Sequence, residues 1–516
     1  MNTKPLLLGV AASLRNARWG AGNHALIESL KAIKTEDELH AFLTSESELC
    51  LENFIEAGRK EGKSFLEIYD NLRKNRGDKG LSNSEVALAA ALWAGLQLGV
   101  DIDHLSLSEH FLPSGKVKNE DELKQKLVNA DGVLVSGPVY FGDRGSLAQS
   151  LVELIRKDGE LREQLAEKLY GGIAVGAKRN GGQETTLIYQ MLDFINLGMP
   201  SVGNDSDTTA QYGGTGHAGD VGTMHKDKYG LNTSMGTGRR MAGLLHRLSH
   251  GIEVNGPIKA LFLILQDQNG EAERRLQELI ERHEGEIDAT IVNVTTKRVL
   301  RCLACDVCPT HINVDRVYRC IISSGQDDMK TFHELMLDHD ALVPVVYSTN
   351  DHTEVVSNYQ QFVERTRYLR RGDYIFSNQV VAPLVFEELG SRENYHIRMM
   401  TSMIRHHTVM TRPIIAHLHR GVCLNEDEVR ADFAGYLKVV RDYAGARLSE
   451  AIERGANKYN PVGYILSANK DAEDEKLHRR EAMVEDRRHR LAREAAERTG
   501  TAPVEKTASL VAEQSA

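Results

Sequence analysis

The chain has 516 residues, of which 41% are hydrophobic and 26% charged, as expected for a soluble protein of two or three domains. Its 63 Lys and Arg residues against 73 Asp and Glu give a formal charge of -10, which argues against nucleic acid as the main partner. No apolar run has the length of a membrane span. The apolar start, residues 4–12, is short and is followed at once by Arg15 and Arg18. We therefore predict a buried first strand rather than a signal sequence, and a cytoplasmic protein.

Strand and helix patterns alternate through the first half of the chain. Apolar runs predict strands at residues 5–12, 100–106, 132–138 and 171–176. Helical patterns occur at residues 84–98, 120–129, 147–157, 184–196 and 239–249. We predict that residues 24–79 are a helical insertion and that the glycine-rich segment Tyr212–Gly238 is a loop. Strands that alternate with helices predict a parallel sheet with helices on both faces.

The same alternation restarts in the second half. Strands are predicted at residues 258–265, 288–293, 341–347, 373–377 and 413–417. Helices are predicted at residues 271–284, 328–338, 354–367 and 425–446. The apolar run after Asp131 is repeated after Asp340, and so long a period indicates a duplicated domain rather than a solenoid.

This pattern divides the chain into three parts. We predict a first domain at residues 1–252, a second at 256–450 and a charged tail at 470–516. The tail is rich in charge and alanine and ends in a segment of low apolar content, which indicates a solvated helix or an assembly arm with a disordered end.

Three loops of the first half follow predicted strands, where open parallel sheets bind their ligands. Ser13 and Arg15 follow the first strand, and Gly80–Ser84 continue that loop after the insertion. Hydroxyl groups and an arginine ahead of a helix N-terminus favour an anion site. Pro138–Gly142 offers two aromatic side chains, and Gly176–Glu184 has paired glycines that allow close approach to a flat ligand.

Taken in order, these loops resemble those of the flavodoxin-like NAD(P)H-dependent FMN reductases, a family that includes quinone reductases and iron–sulfur flavoproteins. The resemblance covers most of residues 4–250 and departs from the family at the insertion, which would split the phosphate loop. It implies an α/β fold with two flavodoxin-like doubly wound parallel sheets (three-layer α/β/α) in tandem. It also implies FMN as the cofactor and NAD(P)H as the electron donor. The residues that it assigns to FMN are Ser13, Arg15, Ser82, Ser84, Pro138, Val139, Tyr140, Phe141, Gly142, Gly176, Gly181, Gly182, Gln183 and Glu184.

Candidate catalytic residues come from the aromatic loop. Tyr140 belongs to the loop itself, and Asp143 and Arg144 follow it directly. The latter two would lie beside the flavin ring, where they could contact substrate or nicotinamide. A surface ion pair between them is an equally good interpretation.

Four of the six cysteines cluster in the second half, at Cys302, Cys305, Cys308 and Cys320. Four thiolates suit an iron–sulfur cluster or tetrahedral zinc. Three cysteines spaced three residues apart favour the cluster over zinc. His311 offers a substitute ligand. A set of reduced cysteines without metal is the alternative. The cysteines and the following Asp327-Asp-Met329 resemble the compact motif of iron–sulfur flavoproteins, which implies a 4Fe–4S cluster.

The second half lacks counterparts of the flavin loops. Gln266–Gly270 has no Ser-x-Arg element and Tyr347–Asn350 has no aromatic-Gly element, so we predict no FMN there. The remaining candidates are four histidines, which could form a metal site, line a pocket or be ordinary residues, and which stay unassigned: His406, His407, His417 and His419.

Together these features predict a fused pseudo-dimer. Its first domain would hold FMN and its second the cluster, and electrons would pass between NAD(P)H or a redox partner and a small-molecule or protein acceptor. The resemblance implies a homodimer or homotetramer. Two alternatives remain: a cluster-free reductase of quinones, nitro or azo compounds, and a non-catalytic assembly protein that docks through the insertion and the tail.

Overall fold

A computed structural model describes most of the chain. It covers residues 4–16, 18–58, 64, 67, 79–205, 210–250, 254–304, 320, 322, 325, 327–367, 369, 376–453, 489, 493, 496 and 497. The predicted tail therefore lies almost wholly outside the described residues, as do Cys305 and Cys308. Among the described helices, none is both long enough and apolar enough to span a membrane.

The first half forms one twisted sheet. Its strands are β1 (Leu6–Ala11), β2 (Asp101–Ser106), β3 (Gly132–Tyr140), β4 (Asp143–Arg144), β5 (Leu169–Gly176) and β6 (Gly214–His217). Strands β2, β1, β3, β5 and β6 are parallel and adjacent in that order, while β4 turns back along the end of β3. This is the strand order of flavodoxin-like sheets, so the fold prediction is confirmed for this half.

Helices cover both faces of this sheet. They are α1 (Ala21–Ala32), α2 (Glu36–Gly58), α3 (Asn83–Leu96), α4 (Leu107–His110), α5 (Glu120–Asn129), α6 (Ser146–Lys157), α7 (Gly159–Leu165), α8 (Gln183–Asn196) and α9 (Lys228–Ser249). The alanine-rich α3 is almost entirely buried, because β1 and α9 cover one side of it and the inserted helices α1 and α2 cover another. The described helices of the insertion, α1 and α2, are thus packed against the rest of the first half.

The second half repeats the architecture. Its strands are β7 (Ile258–Gln268), β8 (Ile287–Asn293), β9 (Ala341–Ser348), β10 (Val355–Ser357), β11 (Val380–Val381), β12 (Leu384–Glu388), β13 (Val409–Met410), β14 (Ile414–His419) and β15 (Val422–Cys423). Its helices are α10 (Glu271–Glu281), α11 (Met329–Asp338), α12 (Tyr359–Arg365), α13 (Tyr395–Met403) and α14 (Glu426–Glu453). The parallel order β8, β7, β9, β12, β14 matches that of the first sheet.

One residue has the same role in both sheets. Asp131 accepts a hydrogen bond from the Leu6 N–H at 2.7 Å, and Asp340 accepts one from the Lys259 N–H at 3.1 Å. Each aspartate precedes the third strand of its half and binds the start of the first strand. The shared strand order and this shared contact support the interpretation that the halves arose by duplication.

In the described part of the chain, the backbone pairing between the two sheets runs through Ser201. Ser201 pairs in parallel with Tyr170 at the start of β5 and antiparallel with Met410 of β13. The Ser201 N–H donates to the Met410 carbonyl at 2.8 Å, and the Met410 N–H donates back at 2.9 Å. Because the junction is antiparallel, the strands of the two halves run in opposite directions.

Three element predictions were wrong. The Tyr212–Gly238 segment contains β6 and the first half of α9. Its glycines look like loop residues but serve helix packing, since a Cβ on Gly238 would lie 2.0 Å from the Ala91 carbonyl oxygen of α3.

The other two errors fall in the second half. A strand was predicted at residues 373–377, but residues 376 and 377 form a turn and 373–375 lie outside the described residues. The strand of this region comes later in the chain and consists of β11 and β12. Pro383 interrupts that strand because it has no N–H for the ladder, which obscured the pattern. The predicted helix at 354–367 is shorter, because Val355–Ser357 pairs with the end of β7 as β10.

Candidate functional site

The phosphate loop predicted from Ser13 and Arg15 is one connected unit. The Arg15 N–H donates to the Ser13 hydroxyl at 3.1 Å. The buried Asn16 side chain donates to the Ala11 carbonyl at 2.9 Å, and its Oδ1 accepts from the Ser82 hydroxyl at 3.2 Å. Asn16 therefore joins the two parts of the loop that the insertion separates in sequence.

The second part of this loop begins α3. Ser82 caps the helix in a reciprocal capping box with Glu85, and the carbonyl of the buried Ser84 accepts a hydrogen bond from the Ser136 hydroxyl at 2.8 Å. A capped N-terminus presents backbone N–H groups and the positive end of the helix dipole. Ser13, Ser82 and Ser84 thus meet beside a helix end suited to an anion.

The aromatic loop lies at the carboxyl end of β3. Pro138 and Val139 are half-buried, whereas Tyr140 is 53% exposed and Phe141 projects fully into solvent. Phe141 and Gly142 both have positive φ angles, 53° and 80°. The loop therefore turns sharply and leaves its backbone and Tyr140 open to a ligand.

The third loop lies directly against the aromatic loop. A Cβ on Gly182, whose φ is 102°, would lie 2.7 Å from the Gly142 Cα, so only glycine permits this backbone contact. Gln183 is buried and donates to the carbonyls of Lys178 and Gly216 at 2.8 and 3.1 Å. Its Oε1 has no hydrogen-bond partner among the described residues.

The remaining charged side chains of these loops have different surroundings. Glu184 and Lys178 are exposed. Arg179 donates to the Thr215 carbonyl at 2.9 Å, forms an ion pair with Asp227, and stacks over the Tyr229 ring. Arg179 is therefore held against the protein surface.

Arg144 also has a structural partner. It is 12% exposed and forms a 2.6 Å ion pair with Asp193 of α8, while its 3.4 Å contact with Asp143 is looser. Gln149 accepts two further hydrogen bonds from it. Arg144 thus anchors the aromatic loop to α6 and α8, and Asp143 is the more exposed of the two catalytic candidates.

The matching edge of the second sheet is filled by its own side chains. The Tyr395 hydroxyl donates to Gln266 at 2.6 Å, and Glu393 accepts from Gln266 and Ser348 at 3.3 Å each. Burial and the nearby Glu393 raise the pKa of Tyr395 to about 12. Glutamine, tyrosine and carboxylate groups thus occupy the positions where the first sheet has open backbone loops.

The four histidines of the second half do not form one site. His406 and His407 are buried at the end of α13, where the His406 ring lies 3.3 Å from the Thr366 hydroxyl. His417 is half-exposed, 3.7 Å from Glu387, and His419 is exposed. No group of three or more His, Cys, Asp or Glu side chains in the described part of the chain is arranged to hold a metal ion.

The cysteine segment follows β8, and its ends are clamped together. Asp327 accepts from the Leu300 N–H at 3.1 Å and pairs with Arg365 at 2.5 Å, with both charged side chains fully buried. Arg365 also donates to the Leu300 carbonyl at 2.9 Å. Cys302 and Cys320 are half-buried and without disulfides. Sequence analysis missed Arg365, because it looks like an ordinary charged residue of α12.

The ends of this segment lie far from the three loops that the sequence analysis assigned to FMN. Because the two halves run antiparallel, their carboxyl edges are on opposite edges of the joined sheet. Seven inter-strand steps of about 4.8 Å, about 34 Å in all, also separate β3 from β8. This arrangement gives no support to a relay between the two sites of one chain.

The chain is similar in sequence to a family of FMN reductases and to iron–sulfur flavoproteins. The NADPH-dependent FMN reductase family matches residues 68–210, a range that contains the aromatic and third loops and Ser82 but not Ser13. An iron–sulfur flavoprotein of Methanocaldococcus jannaschii is 35% identical over 175 residues, 31% of this chain and 89% of that protein. An iron–sulfur flavoprotein from Methanosarcina thermophila is 28% identical over 183 residues, which are 32% of this chain and 88% of that protein. Among solved structures, a WrbA-like flavodoxin from Agrobacterium tumefaciens is 14% identical over 47% of this chain and 98% of that one, with a TM-score of 0.25.

Proposed function

This chain belongs to the family of NADPH-dependent FMN reductases and iron–sulfur flavoproteins, and from that premise we propose an FMN-dependent oxidoreductase that takes electrons from NAD(P)H or a redox partner. The observation that carries the proposal is the meeting of three separate loops at the carboxyl edge of the first sheet. Ser13 supplies a hydroxyl beside the end of α3 that Ser82 caps, and the Gly142–Gly182 contact joins the other two loops.

The residues of this crevice fit a phosphorylated flavin. A phosphate is an anion, and the Ser13 loop with the N-terminus of α3 offers it hydroxyls and a positive helix end. The exposed backbone of Pro138–Gly142 suits the polar edge of a planar ring, and Tyr140 suits its face. When bound, FMN supplies reversible two-electron and one-electron chemistry.

The polypeptide would bind, orient and shield that group. Arg144 holds the aromatic loop through Asp193, so it is proposed as a positioning residue. Asp143, which is half-exposed at the same loop, is the candidate for contact with substrate or nicotinamide. The buried Gln183 fixes the third loop through Lys178 and Gly216.

We further propose a 4Fe–4S cluster at Cys302, Cys305, Cys308 and Cys320. The support is the name of the matched relatives together with the clamp of Asp327 and Arg365, which closes the segment into a loop. A closed loop restricts the thiolates before a metal arrives and lowers the entropic cost of binding it. Given the opposite sheet edges, electrons would pass between the cluster of one chain and the flavin of another.

Cofactor analysis of the full chain tests both parts. Anaerobically purified protein should contain FMN, iron and sulfide, and Cys302→Ser should lose iron while keeping FMN. Full chain that neither contains nor takes up FMN would refute the oxidoreductase and favour an assembly protein. Flavin without iron, with quinone turnover that Cys302→Ser leaves unchanged, would instead favour the cluster-free reductase.

A further inference from the structure

The inserted helix α2 makes contact with both parts of the phosphate loop through one residue, Glu46. Glu46 is 7% exposed, and its Oε2 accepts a hydrogen bond from the Gly80 N–H and pairs with Arg18 at 2.8 Å. Its backbone carbonyl accepts a further bond from the Leu81 N–H at 3.0 Å. One residue of the insertion therefore holds the chain on both sides of the insertion.

Arg18 connects Glu46 to the first part of the loop. Its side chain is 2% exposed, and it also donates to the Gly22 carbonyl at 3.3 Å. A buried guanidinium requires a charged partner, because an uncompensated buried charge costs several kcal/mol. The position of Glu46 therefore fixes that of Arg18, two residues after Asn16, which itself binds Ser82.

The same helix also contacts the loop at residues 220–224, which lies beside the start of α3. A Cβ on Gly222 would lie 2.7 Å from the Ser47 carbonyl oxygen of α2. The Asn83 side chain, at the start of α3, accepts from the N–H groups of Thr223 and Met224 at 3.1 and 3.2 Å. Helix α2, the start of α3 and the 220–224 loop thus form one packed unit.

We propose that Glu46 is a positioning residue for the cofactor phosphate. It sets the spacing between the Ser13 part of the loop and the Ser82 part, which the insertion separates in sequence. This inference rests on the proposed function, because it assumes that FMN binds at these loops. It predicts that the insertion serves affinity for the phosphate and leaves the ring contacts of Pro138–Gly142 unchanged.

The decisive measurement compares FMN with riboflavin, which has the ring but no phosphate. Flavin-free full chain would be titrated with each ligand by fluorescence quenching, for the wild type, Glu46→Ala and Glu46→Gln. The matched control is Glu48→Ala, an exposed residue on the same helix. We expect Glu46→Ala to lose tenfold or more in FMN affinity with little change for riboflavin, Glu46→Gln to lose less, and Glu48→Ala to match the wild type.

Each other outcome has a distinct meaning. Equal losses for both flavins in Glu46→Gln, whose shape is nearly that of the wild type, would mean a general structural role and overturn the proposal. The proposal would also be overturned if both Glu46 variants bound FMN as tightly as Glu48→Ala does. If Glu46→Ala does not fold, as judged by circular dichroism, the FMN-to-riboflavin ratio of Glu46→Gln decides. Wild type that binds neither flavin would refute the proposed function itself.

Discussion

The carboxyl edges of the two sheets have the same strand order but different contents. In the first, glycine-rich backbone loops meet, and Tyr140, Leu14 and Arg15 are exposed. In the second, Gln266, Glu393 and Tyr395 bond to one another across the same positions. The comparison indicates that a flavodoxin-like sheet offers a crevice only where its loops end in small residues, and that longer side chains close it.

Each half also has its own buried ion pair beside its candidate site. Glu46 and Arg18 hold the phosphate loop, and Asp327 and Arg365 hold the cysteine segment. Both pairs are almost inaccessible to solvent, so removal of either carboxylate costs the molecule a buried ion pair.

The largest expected effect is that of Asp327→Asn. Loss of the carboxylate leaves Arg365 buried without its charge partner and should lower the free energy of unfolding of the second half by about 3–5 kcal/mol. Iron content should fall with it while FMN is retained. Urea denaturation and metal analysis measure the two effects.

Glu426→Gln is the control for that substitution. Glu426 is 50% exposed and pairs with Arg282 and Arg430 at the surface, so its loss should cost less than about 1 kcal/mol. Equal destabilisation by both substitutions would show that the Asp327 pair is not a structural clamp.

Gly182→Ala should have the next largest effect, on the first half alone. The new Cβ would meet the Gly142 backbone at 2.7 Å and the residue would keep a φ of 102°. We expect FMN affinity to fall about a hundredfold, equivalent to about 2.7 kcal/mol. Equilibrium dialysis with FMN checks this.

Gly270→Ala is the control that shows whether the effect of Gly182→Ala comes from the steric clash or from the positive φ angle. Gly270 precedes α10 in the second half, has a φ of 78°, and faces open space. It should lower stability by about 1 kcal/mol through its positive φ and leave FMN affinity unchanged. An FMN affinity lost equally in both variants would contradict the packing argument.

Arg240→Met addresses the contact between the halves. Arg240 of α9 is buried and donates to the Asn378 side chain and, at 2.6 Å, to the His407 carbonyl. Its loss should cost about 2 kcal/mol, since two charge-assisted hydrogen bonds disappear, and should separate the unfolding of the halves. Lys438→Ala, which removes an exposed interdomain ion pair with Glu167, should have little effect. Calorimetry that shows one unchanged transition for Arg240→Met would contradict the prediction.

The smallest expected effect is a pH dependence specific to the first half. Burial lowers the pKa of His104 to about 3, and its Nδ1 lies 2.8 Å from Asn23 Oδ1 of α1. Below its unfolded pKa of about 6.5 the unfolded chain takes up a proton that the folded chain does not. Stability should therefore fall as pH drops below about 6.5, by about 1.4 kcal/mol per pH unit.

Substitution of this histidine tests the assignment. His104→Gln should flatten the decline in stability between pH 6.5 and 5.5, measured by urea denaturation. His419→Gln, at an exposed position of the second half, should keep the wild-type slope. A wild-type slope in His104→Gln would show that other groups cause the acid sensitivity.

Much of this site could be predicted because its signals are local. The glycines of Pro138–Gly142 and Gly176–Glu184 mark sharp turns, and turns after strands of a parallel sheet meet at one edge. Glu46 and Arg365 could not be predicted, since a charged residue on a helix looks the same in sequence whether it faces water or a buried partner. The glycines of α9 were misleading because they serve helix packing.

The relative orientation of the two halves also could not be predicted from the sequence. It depends on the Ser201–Met410 pairing, which is made by backbone groups and leaves no pattern of side chains. The prediction of a fused pseudo-dimer therefore contained no statement about the direction in which the strands of the two halves run.

The antiparallel Ser201–Met410 junction would limit how copies of the chain assemble into the proposed electron-transfer unit. With crevice and thiolates at opposite ends, each chain has one of each to offer a neighbour. Under a two-fold axis, the crevice of each chain would face the thiolates of the other, and the assembly would be complete with two chains. Any other rotation would leave one crevice and one set of thiolates unpaired, and these would bind further copies to form a ring or a fibre.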